Sequence, residues 1–97
     1  MATDTVAKEL LDFDRAMEES ERTKKLHREA FRAAFNFLEA FYPPRDDLDY
    51  WMKAAEESGR VAAEHYRNPL IVPLMVAMYD YLEAVEKERK NEHALQQ

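Results

Sequence analysis

Read in steps of four and three, Val6, Leu10, Phe13, Met17, Ser20, Lys24, His27, Phe31, Ala34, Leu38 and Phe41 fall on one stripe, apolar at both ends and polar in the middle. A stripe held over about five heptads is the register of a helix–helix seam. Asp4 to Tyr42 run without Gly or Pro, and Pro43-Pro44 then stops the helix. The pattern predicts a first helix over about 4–42. Asp46 is an acceptable N-cap for a second helix over about 46–66, with Asp47 and Asp49 in its first turn. Asn68-Pro69 reads as N-cap and first helical residue of a third helix over about 69–92. Pro73 falls early in that helix, so the regular part is expected to begin at Pro69 or near Val72. No strand or hairpin signal competes. The fold class is all-α: a three-helix antiparallel arrangement with a long first helix, in a single domain over 1–97.

The polar middle of helix 1 is the one place where it could divide, giving a four-helix bundle with a break near 20–23. Ser20 and Thr23 are the only caps on offer. Neither has Glu or Gln three residues on, and Lys24 and Lys25 sit badly at a helix N-terminus. The pairs Glu18–Arg22, Glu21–Lys25 and Lys25–Glu29 span the region at i,i+4, each contributing about 0.2–0.5 kcal/mol. The helix is therefore expected to be continuous. At about 1.5 Å per residue it reaches about 57 Å, against about 30 Å for helix 2. Short connections fold helices 2 and 3 back on its C-terminal half, where Phe31, Phe35, Leu38, Phe41 and Tyr42 form a broad apolar face. Val6, Leu10, Phe13 and Met17 are left uncovered.

Within helix 2, Leu48, Met52, Ala55, Gly59, Ala62 and Tyr66 share a stripe whose small residues predict close helix packing. Tyr50 and Trp51 are expected to seal the end of the bundle beside the Pro-Pro corner. Helix 3 opens Leu70, Ile71, Val72, Leu74, Met75, Val76 and Met78, apolar nearly all round, and is expected to be the most buried element.

Charge adds to the picture of helix 1. The 97 residues carry a net charge of −6, unevenly spread: 1–21 are net −5, 22–32 net +4, 33–66 net −4 and 67–97 net −1. The acidic total disfavours nucleic acid, for which a basic footprint is required. The basic island of Arg22, Lys24, Lys25, Arg28 and Arg32 is suited instead to the acidic stretch of a second copy. Two first helices crossed antiparallel at Ser20 set Val6 opposite Ala34, Leu10 opposite Phe31 and Met17 opposite Lys24. Val6, Leu10, Phe13, Met17, Lys24, His27, Phe31 and Ala34 are the expected interface of a homodimer, the commonest closed symmetry. A further protein partner is expected, of unspecified identity.

Chemistry is sparse. Cysteine is absent, which excludes disulfides, thiolate nucleophiles and Cys-based zinc sites and suits a reducing, cytoplasmic setting. The N-terminal residues lack the basic and apolar regions of a secretory leader, and the longest apolar stretch is too short for a membrane span. His27, His65 and His93 lie on separate segments without HxxxH, HExxH or ExxH spacing, and one glycine allows no phosphate-binding loop. No catalytic, metal or cofactor site is expected, and the best reading is a small acidic protein-interaction or regulatory module.

Glu18-x-x-Glu21 followed by Asp46-x-x-Asp49 loosely resembles the paired acidic motifs of the all-α nucleotide pyrophosphatases. The likeness covers only these four residues, and that family's second motif begins with Glu. It implies, as the alternative, a Mg-dependent nucleotide hydrolase holding its metal between the two pairs.

Overall fold

The computed structural model describes residues 2–96, with the side chains of 6–95. The chain is all-α: α1 (Ala2–Phe41), α2 (Leu48–Glu64) and α3 (Ile71–Gln96). Helix 1 is continuous. The Thr23 hydroxyl, instead of capping a new helix, donates 2.9 Å to the Glu19 carbonyl one turn back. At the other end the Tyr42 N–H still reaches the Leu38 carbonyl at 2.9 Å before Pro43-Pro44 turns the chain.

The start of α2 differs from expectation by one residue. Asp47, in extended backbone, is the N-cap, and its carboxylate accepts from the Tyr50 N–H at 2.8 Å. Asp46 points elsewhere and pairs with Lys90 at 2.7 Å. Helix 3 begins at Ile71. Asn68 prepares that start: its side-chain oxygen accepts from Leu70 N–H at 3.1 Å and its carbonyl from Ile71 N–H at 3.1 Å. The first full helical bond runs from Leu74 to Leu70, at 3.2 Å. Pro73 is thus in the first turn, where a missing N–H costs nothing.

Helix 3 packs against both other helices, which touch each other least. The core consists of Ala30, Ala34 and Phe37 from α1, Ala54 and Val61 from α2, and Ile71, Met75 and Leu82 from α3. One end is closed by aromatic rings, as Tyr50 and Trp51 were expected to do. Phe37 meets Phe41 at 5.0 Å, Phe41 meets Tyr50 at 5.8 Å, Tyr50 meets Trp51 at 4.8 Å, and Trp51 meets Tyr79 at 5.6 Å. The Tyr50 hydroxyl donates to the Phe41 carbonyl at 2.5 Å, satisfying an acceptor that the end of α1 leaves open.

Three packing expectations are corrected. On α1 the face turned inward is Ala30, Ala34, Phe37 and Phe41, while Phe31 and Phe35 are exposed. On α2 the expected packing stripe is not closely packed: Leu48 is 76% exposed, Met52 and Tyr66 are exposed, and Ala55, Gly59 and half-buried Ala62 line an open groove beside α3, where a methyl group at Gly59 would meet no atom within 4 Å. Tyr50, Ala54 and Val61 are buried in its place. On α3, Val72 and Val76 face outward, so the helix is buried on one side and not all round.

Every described side chain from Val6 to Glu29 is exposed, and the first buried one is Ala30. The boundary is marked by a single long-range bond. The Asn68 amide, itself buried, donates at 2.7 Å to the Leu26 carbonyl and pins the α2–α3 connection to α1 there. The molecule measures 82 × 26 × 15 Å, because more than half of α1 forms an arm that projects from the bundle.

Candidate interaction surface

The arm carries Val6, Leu10, Phe13 and Met17, between 51% and 62% exposed. At 100° per residue these four side chains point the same way. The same direction continues past Lys24 to Phe31, Phe35 and Tyr42 on the bundle, all exposed. From Val6 to Tyr42 is about ten turns of 3.6 residues, so the stripe runs straight along a straight helix. It lies about a third of a turn around α1 from the buried face.

Phe35 and Tyr42 were not among the interface residues expected from sequence. The signal that locates them is the period. A 3.5-residue step drifts about 20° per heptad relative to a straight helix. By residue 34 it has rotated from the outer face to the inner one. Ala34, expected at an interface, is 3% exposed and lies in the core. Val6, Leu10, Phe13, Met17, Lys24 and Phe31 share the outer stripe, and exposed His27 lies on its flank. Lys24 pairs with Glu21 at 3.5 Å in the polar middle.

Beside the bundle end of the stripe, Tyr42 stacks on Tyr81 of α3, with ring centroids 6.3 Å apart. A groove of about 430 Å³ opens between the two helices there, lined by Phe35, Leu38, Glu39, Tyr42 and Tyr81. A wider groove of about 810 Å³ separates α1 from α2. Its floor includes Ala33, Phe37 and Val61, and its rim is charged. Arg60 there is held by Glu57 at 2.5 Å and by Glu64 at 3.1 Å. The hydrogen bond from Arg60 holds the Glu57 carboxyl below its usual range, and Glu57 in turn raises Arg60. Glu57 and Arg60 thereby hold each other in their charged forms.

The paired acids of the hydrolase resemblance are spread out. Glu18 and Glu21 are on the exposed arm, Asp46 is paired with Lys90, and Asp49 with Lys53 at 3.0 Å. Among the described residues no group of three or more His, Asp or Glu is placed to hold a metal ion. His65 is the C-cap of α2, its N–H bonded to the Val61 carbonyl. Glu86 is buried at 4% exposure with Arg89 at 3.0 Å. Among the described residues no helix is long and apolar enough to cross a membrane. No family model, curated protein or solved structure matches the chain.

Proposed function

We propose that the protein is a small cytoplasmic interaction or regulatory module that works as a homodimer through α1, without a catalytic centre of its own. The observation that carries this reading is the stripe of Val6, Leu10, Phe13 and Met17, exposed on a helical arm that its own chain does not cover. Large apolar side chains in a row on one helix face mark a surface that another chain covers. The acidic character of residues 1–21 beside the basic 22–32 supports a second copy as that chain, since an antiparallel pair sets one against the other.

Light scattering at high micromolar concentration tests the reading. The expected mass is twice the 11.5 kDa of one chain. Leu10→Glu combined with Phe13→Glu buries two carboxylates in the seam and is expected to return the mass to that of one chain with the bundle still folded. A single-chain mass for the unaltered protein, or an unchanged mass for the double variant, would sink the proposal.

A further inference from the structure

We infer that the arm of each copy seats in the groove between α1 and α3 of the other, with the two-fold axis passing at Lys24. This rests on the proposal that α1 is the self-association surface, and it fixes which residues meet. The stripe is its own complement about Lys24. An antiparallel copy centred there brings Val6 level with Tyr42, Leu10 with Leu38, Phe13 with Phe35 and Met17 with Phe31. Every arm residue then meets an aromatic or aliphatic side chain of the bundle. Each of these bundle side chains is at least partly exposed.

Centring on Ser20 does worse. It asks Val6 to meet Ala34, which the protomer's own core occupies, and Met17 to meet Lys24. The charges agree with the Lys24 centre. Asp14, Glu21, Arg28 and Arg32 lie along one flank of the stripe, and the two-fold places that flank of each copy beside its equivalent. Asp14 comes beside Arg32 of the second copy, and Glu21 beside Arg28. A parallel pair would instead run the acidic segment 1–21 along its equivalent and the basic segment 22–32 along its own. Lys24 lies on the axis at the polar middle of the seam, where Ser20 comes level with Arg28, and polar residues in a seam are the kind that specify register at some cost in stability.

The groove supplies the rest of the fit. Tyr81 stacks against Tyr42 at its far end, so the arriving Val6 meets α3 as well as α1, and the arm becomes a fourth helix of the bundle. Seven half-exposed large side chains per copy, at roughly 100 Å² each, come close to the area of a standard interface, about 800 Å² per partner.

A chain without cysteine allows a direct test. Single variants Lys24→Cys, Ser20→Cys and Met17→Cys are oxidised separately and their masses compared on a denaturing gel, beside light scattering of the unaltered protein. In the inferred register only the two thiols at position 24 face each other across the axis. Thiols at positions 20 and 17 are offset from their equivalents by about 12 and about 21 Å along the helix, beyond the about 7 Å that a disulfide spans. The expected result is a covalent dimer from Lys24→Cys and none from the other two. Crosslinking through Ser20→Cys would move the axis, and crosslinking through Met17→Cys would make the pair parallel or shift its centre further. Either result overturns the inference and leaves the homodimer standing. A dimeric mass with no crosslink at any position overturns the register alone. A single-chain mass overturns the inference and the homodimer together.

Discussion

Gly59 sits inside α2 with open space where a side chain would be. A glycine in a helix interior costs about 0.5–1 kcal/mol relative to alanine, through the freedom it loses on folding. Gly59→Ala is therefore expected to stabilise the fold by that amount, read as a higher denaturant midpoint. Had α2 packed through this residue, the added methyl would clash and the sign would reverse. Tyr50 makes a second prediction. Burial, then the negative charge of Glu86, then Tyr79, push its hydroxyl above the usual tyrosine range. A raised pKa in the folded state adds stability that is complete below the unfolded value. That stability is lost as pH climbs through the folded value. Melting temperature should fall as pH rises past about 10. Tyr50→Phe should lower stability by about 1 kcal/mol at pH 7, through the lost bond to Phe41, and flatten the alkaline decline. Equal declines in both proteins would remove Tyr50 as a contributor.

At the scale of the helix, α1 presents two apolar faces about a third of a turn apart. One is built from Ala30, Ala34 and Phe37, the other from Phe13, Phe31 and Phe35. The small residues let neighbours approach, so the protomer uses that face and leaves the larger aromatic one outside. The sequence shows both faces but not the choice, because hydrophobicity alone ranks the phenylalanines as the better core. The same ambiguity reverses α2, where Leu48 and Met52 were expected inside and Ala54 and Val61 are. The ends of α1 and α2 and the start of α3 were legible to within about two residues, since Pro43, Asp47 and Asn68 act locally, whereas α3 runs to Gln96, four residues past the expected 92, where no breaker marks an end. The arm also makes a dynamic prediction. In the unaltered protein, amides of residues 6–25 should resist hydrogen exchange nearly as well as those of 30–41. In the Leu10→Glu, Phe13→Glu variant the arm should lose its protection and the bundle keep it. A stretch of helix without tertiary cover frays readily. Fast exchange of the arm in both proteins would count against its being covered.

The whole chain is far from compact. Its Cα radius of gyration is 21.4 Å, against about 12.5 Å for a globular chain of this length. Absence of breakers from Asp4 to Tyr42 made the long helix legible, and with it the arm. The place where cover begins was not legible, because it depends on a bond 42 residues distant in sequence, from Asn68 to Leu26. Small-angle scattering can read the assembly directly. With the axis at Lys24, about 33 Å of each 82 Å molecule lies on one side of it and about 49 Å on the other. Two copies should span about 100 Å with doubled mass. A maximum dimension near 82 Å at single-chain mass would mean no pairing at all.

The pin between Asn68 and α1 is made to a main-chain carbonyl, which any residue at position 26 provides. Among the described residues, nothing in a chain's own bundle therefore reads the side chains of its arm. Substitutions from Val6 to Lys25 that keep the helix make no difference to the packing of the bundle that carries them. In the proposed homodimer, such a layout would let pairing specificity diverge between duplicated copies through changes in the arm, while the buried face of the same helix keeps the fold unchanged.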